Sequence, residues 1–78
     1  MKKEIVYDYS KLQGKIKEVF DTQGAFANAV GLSERSLSLK LSSARGWKQD
    51  QIMNAIDVLG LSVDDIQSYF FTAKVQNF

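Results

Sequence analysis

Apolar residues return along this chain at helical rather than strand spacing. Leu12, Ile16, Val19 and Phe20 fall at i, i+4, i+7 and i+8, and predict a first helix that starts at Asp8 or Ser10 and ends near Phe20. Lys11, Lys15 and Glu18 take the other faces. Gly14 lies inside this stretch, where it costs about 1 kcal/mol relative to alanine, and suggests a close helix crossing. Ile52, Ile56 and Leu59 repeat the pattern over Gln49–Leu59, and Gly60 stops it. Between these two helices lie shorter ones. Thr22 is suited to cap a helix over Gln23–Val30, which Gly31 ends in a left-handed conformation. Ser33 caps the next, Glu34 to about Ser42, with Leu37 and Leu41 inward. Ser42 to Gly46 reads as a loop. Ser62, followed by Asp64 and Asp65, places carboxylates in the first turn of a fifth helix that turns Ile66 and Phe70 inward. Residues 1–7 form a short arm and residues 72–78 a tail without a clear pattern. The expected fold is a compact, all-α, five-helix domain spanning residues 1–78.

The stretch Thr22–Leu41 carries the main functional signal. Two short helices around a tight turn have the layout of a helix-turn-helix, in which the second helix enters the major groove of DNA. Ala27 permits close approach of the partner helix, and Gly31 supplies the positive φ that L-residues resist. Phe26, Val30, Leu32 and Leu37 form the wedge between the helices, while the outer side of the third helix is short and serine-rich. The bland alternative is an ordinary helical hairpin.

Composition narrows the chemistry. The chain has no cysteine and no histidine, which excludes disulfides, thiolate or imidazole metal sites and the commonest general base. No cofactor or metal is expected. Asp64 and Asp65 are adjacent and point in different directions on a helix, which suits capping better than catalysis, so an enzyme is not expected. The first residues carry charge without an apolar core, and no apolar run approaches the roughly 20 residues of a membrane helix. The expected setting is the cytoplasm of a bacterial host cell.

The net charge of +1 hides an uneven distribution. Residues 1–34 sum to zero. Arg35, Lys40, Arg45 and Lys48 give residues 35–48 a charge of +4, and Asp50, Asp57, Asp64 and Asp65 give residues 49–73 a charge of −4. Only that local basic field would steer the chain toward phosphates.

In Gln23, Ala27, Gly31, Ser33 and Leu37, followed by WKQDQIMNAIDVLGLSVDDI, the chain resembles the small Cro-like, lambda-repressor-like helix-turn-helix regulators of Gram-positive temperate phages. The resemblance covers nearly the whole chain. It implies a phosphate contact for Gln23, and base-edge or flanking phosphate contacts for Ser33, Glu34, Arg35, Ser38, Leu39 and Ser42. Arg45 and Lys48 become backbone contacts that fix register. Lys40 departs from the pattern, since the family keeps an apolar residue there; Leu41 is available for the missing packing.

Two functions follow as expectations. The first is a transcriptional regulator that binds operator DNA through its third helix in a lysis/lysogeny switch. The alternative is an anti-repressor or modulator that binds the phage lysogeny repressor and alters its DNA binding, for which near-neutral charge, the acidic 49–73 segment and Glu34 speak. Trp47 reads as a cover for the hairpin core, with base stacking as the other role. Tyr69, Phe71 and Phe78 form a seam for a homodimer or a protein partner, or else close the core against Leu12 and Ile16.

Overall fold

The structure is a computed structural model and describes residues 7–42 and 44–73. Among these residues the elements are α1 (Ser10–Phe20), α2 (Gln23–Ala29), α3 (Glu34–Leu41), α4 (Gln49–Leu59), a 3-10 turn (Val63–Asp65) and α5 (Ile66–Phe70). The fold is all-helical. No described helix is long and apolar enough to cross a membrane.

Each helix starts and stops for a local chemical reason. Asp8 Oδ1 accepts from the Ser10 amide at 2.9 Å and from Ser10 Oγ at 2.6 Å, which settles the first residue of α1. Thr22 Oγ1 accepts from the Ala25 amide and Ser33 Oγ from the Ser36 amide, both at 3.1 Å. Ser62 and Asp65 close a reciprocal cap, the Ser62 amide donating to Asp65 Oδ2 at 3.0 Å. That cap winds the first residues beyond it into a 3-10 turn, so the fifth helix proper starts only at Ile66.

Gly31 and Gly60 terminate α2 and α4 in the same way. With φ of +74° and +70° they let the following amide reach back, Leu32 N to Ala27 O and Leu61 N to Ile56 O, each at 2.8 Å. Gly31 N and Gly60 N bond Asn28 O and Asp57 O, completing the paired hydrogen bonds of a glycine C-cap. Val30 consequently caps α2 instead of extending it.

The core is one cluster. α1 packs on α2, α4 and α5, α2 on α3, and α4 on α5. Leu12, Ile16, Phe26, Leu37 and Phe70 are its most deeply buried large side chains, joined by Tyr9, Ala27, Val30, Leu41, Ile52, Ala55, Ile56 and Leu59. Phe26, Val30 and Leu37 form the expected wedge between α2 and α3, with Leu32 partly buried against it. Two expectations for α1 fail. Val19 is 45% exposed, because the buried stripe is narrower than the apolar spacing and Phe20 alone turns toward Phe26. Gly14 is exposed and faces open space rather than a crossing helix.

The two ends of the described chain meet. Tyr7 and Ala73 form an isolated antiparallel bridge, and the Asp8 amide donates to Thr72 O at 2.7 Å. Most of the expected arm and tail, including Phe78, lies outside the described residues.

Candidate functional site

Two surfaces emerge from the residues singled out by sequence. The first is the outer side of α3. Glu34, Arg35, Ser38 and Ser42 are exposed at spacings that share one helical face. Gln23 is exposed at the head of α2, Arg45 and Lys48 are exposed beyond α3, and Leu39 is half-buried.

This face is poorer in free cations and hydroxyls than its sequence implies. Ser33 Oγ is engaged in capping α3, and Ser42 Oγ donates to Leu39 O at 3.0 Å. Lys40 is only 6% exposed, so it is withdrawn from the basic stretch. Its Nζ donates to Gly46 O at 3.0 Å and stands 5.9 Å from the Trp47 ring centre. Burial pushes the Lys40 ammonium below the ordinary lysine range; Lys48 and Arg45 push the same way, and Asp50 opposes them. Glu34 adds an acid at the junction of α2 and α3. A Cβ placed on Gly24 would lie 2.8 Å from Glu34 Oε1, so the Glu34 side chain rests against the first turn of α2. A carboxylate there repels an incoming phosphate.

The second surface surrounds the 3-10 turn and α5. Val63 is 63% exposed and Phe71 48% exposed. With Asp64, Ile66 and Gln67 they line an open depression of about 540 Å³. Tyr69 is half-buried against the core, with Lys11 Nζ 4.8 Å from its ring centre. Phe71 stands edge-on to Tyr7 at 5.9 Å. Phe70 instead closes the core, so the aromatic run divides its work between interior and surface.

Trp47 takes the core-covering role. It packs edge-on against Phe70 at 5.0 Å and lies 6.5 Å from Tyr9. Among the described residues its buried indole Nε1 has no acceptor. Sequence reasoning missed the burial of Lys40. The available signal was an apolar position filled by a long amphipathic side chain whose stem can replace the missing packing.

Taken together, these features define a small all-helical domain with two candidate contact surfaces. The chain belongs to the family described as "Protein of unknown function (DUF739)", whose model matches residues 5–73. Comparison with curated proteins finds no match. Among solved structures, the chain is similar to the modulator of repression (MOR) of the temperate bacteriophage TP901-1 from Lactococcus lactis. Identity is 56%, the alignment covers 90% of this chain and 95% of that one, and the TM-score is 0.75. The similarity supports the expected kinship with small phage regulators.

It also corrects the first functional expectation. The similar protein is a modulator of repression, which fits the alternative and not direct operator reading through the third helix. The residues assigned to that reading were Gln23, Ser33, Glu34, Arg35, Ser38, Leu39, Ser42, Arg45 and Lys48. The physical reason lies in the details of α3: one lysine buried, two hydroxyls engaged with the backbone, and a carboxylate at the helix junction.

Proposed function

We propose that this protein is a modulator of phage repression that binds the lysogeny repressor and alters its binding to DNA. The observation that carries this reading is 56% identity to a phage modulator of repression over nine-tenths of the chain. The surface chemistry agrees with a protein partner. Half-exposed Phe71 and exposed Val63 line one open depression, an apolar patch of the kind a protein partner covers. Acids without bases occupy residues 49–73, which suits a partner with a basic face, as a DNA-binding repressor has.

Phe71 is the central apolar contact in this reading, Tyr69 flanks it, and Asp64 supplies complementary charge. Phe78 lies outside the described residues and is proposed as a contact from its sequence alone. Assembly is with the repressor in the first place, and a homodimer would be a competing use of the same seam.

The test is an operator-binding titration of the repressor cloned from the same genome, with and without this protein. A sizing measurement on the mixed proteins accompanies it. A stoichiometric complex and an altered operator affinity are expected. Absence of a complex, together with operator binding by this chain alone at about 50 mM salt, would overturn the reading.

A further inference from the structure

Lys40 presents a physical puzzle. Its side chain is buried, and burying an ammonium is costly unless it is well compensated. Arg45 and Lys48 stand near enough to repel it. A methionine would fill similar space without that cost. What the lysine adds is a directed bond from Nζ to Gly46 O.

That bond falls where the α3–α4 connection otherwise has little to hold it. The Ala44 and Arg45 amides both donate to Leu39 O, at 2.9 and 3.2 Å, and the Lys48 amide donates to Gln51 Oε1 at 3.0 Å. Between these anchors lie Gly46 and Trp47. Gly46 faces open space, so sterics do not fix it. The Trp47 indole N–H has no acceptor among the described residues, where nothing holds the ring by its own polar end. A cleft of about 210 Å³ between Arg45–Trp47 and the rings of Tyr7, Tyr9, Phe70 and Phe71 leaves the ring layer room to shift. Close packing alone therefore does not dictate where these rings sit.

Continuous ring contacts link this loop to the exposed surface. Trp47 touches Phe70 and Tyr9, Tyr9 lies 6.3 Å from Tyr7, and Tyr7 meets Phe71 edge-on. We propose that Lys40 is a positioning residue for the partner surface: by tethering Gly46 and overlying Trp47 it sets the aromatic layer on which Phe71 stands. The inference rests on the reading of Phe71 as a partner contact. Lys40 itself is buried and does not touch the partner.

The experiment compares Lys40→Met, which keeps length and loses the donor, with Lys40→Arg, which keeps a donor. NMR of the free proteins reads the ring resonances of Trp47 and Phe71, and a titration with the cognate repressor reads affinity. In Lys40→Met the Phe71 ring signals shift while the helical signature is kept. Repressor affinity falls roughly two- to thirtyfold, the size of an indirect coupling through packed groups. Lys40→Arg recovers most of both. Unchanged Phe71 signals in Lys40→Met, or an arginine variant no better than methionine, overturns the inference.

If Lys40→Met does not fold, Trp47→Phe decides. It leaves the tether in place, alters the layer above it, and must move the Phe71 signals. Wild-type protein that binds no repressor defeats the proposed function, while the ring signals of the free variants still judge Lys40.

Discussion

Replacing Phe71 with alanine separates binding from folding, because the ring is divided between the two. Complete burial of a phenylalanine side chain stabilises by about 1.5–3 kcal/mol. Phe71 is 48% exposed, so about half of that, roughly 0.8–1.5 kcal/mol, is still available to a partner. A loss of this size would weaken the proposed repressor complex by about four- to twelvefold. On the folding side, alanine gives up the buried half of the ring and its edge-on contact with Tyr7, itself worth about 0.5–1.5 kcal/mol. Each kcal/mol lost lowers Tm by roughly 4–8 °C in a domain of this size. Calorimetric titration with the repressor, run well below the melting temperature of the variant, measures the binding part; a thermal melt measures the other. Wild-type affinity in Phe71→Ala refutes the placement of the contact. So does a larger loss in an Arg35→Ala, Ser38→Ala variant, which would move the partner to the outer face of α3.

Other perturbations test the fold. Gly14→Ala should stabilise by about 1 kcal/mol, since the position is helical and faces open space, whereas Gly31→Ala should cost about 1–2 kcal/mol at its positive φ; denaturant titrations of the two variants should move in opposite directions. Phe26→Ala should cost about 3–5 kcal/mol, and at roughly 0.05–0.15 kcal/mol per residue the whole domain has only about 4–12 kcal/mol, so circular dichroism should find the variant near or past its stability limit. Burial raises the Tyr9 phenol above its ordinary 10.0, with Tyr7 adding to it, so the native state holds its proton longer than the unfolded chain. The stability this contributes is complete below pH 10 and is lost as pH rises through the raised value. Lys40 acts in the opposite sense, its ammonium held below the ordinary 10.5, but it is common to wild type and Tyr9→Phe; the difference between their pH–stability curves should therefore isolate the Tyr9 slope, and parallel curves would refute it.

The helices were legible because their signals are local. Leu12 and Ile16, or Ile52, Ile56 and Leu59, mark an inward stripe by spacing alone, and Thr22, Ser33, Gly31 and Gly60 mark ends through hydrogen bonds within a few residues. The departures all depend on what lies across space. Spacing placed Val19 in the apolar stripe but did not set the width of the groove it faced. Glycine in a helix signals a missing Cβ, and only the neighbouring elements decide whether something fills that room; at Gly14 nothing does. Asp21, which closes α1 at φ +70°, carried no signal, since aspartate reaches that region less readily than glycine. The meeting of Tyr7 with Ala73 joins residues 66 positions apart, beyond the reach of any periodicity.

The site was less legible because charge was counted along the chain while recognition acts over a surface. A segment charge of +4 treats Lys40 as equal to Arg35. In the folded chain Arg35 is exposed and Lys40 is turned inward onto Gly46 O, so the field above α3 is weaker than the count. Glu34 belongs formally to the preceding neutral segment, yet its side chain rests at the head of α2 beside the same face. The Ala27–Gly31–Leu37 geometry builds the hairpin whichever macromolecule is bound, since Ala27 and Leu37 point into the core and Gly31 turns the backbone between them. Under the proposed function, discrimination between DNA and protein would rest on side chains that the hairpin pattern leaves free: one lysine that folds in, one glutamate that folds back, and one phenylalanine that stays out.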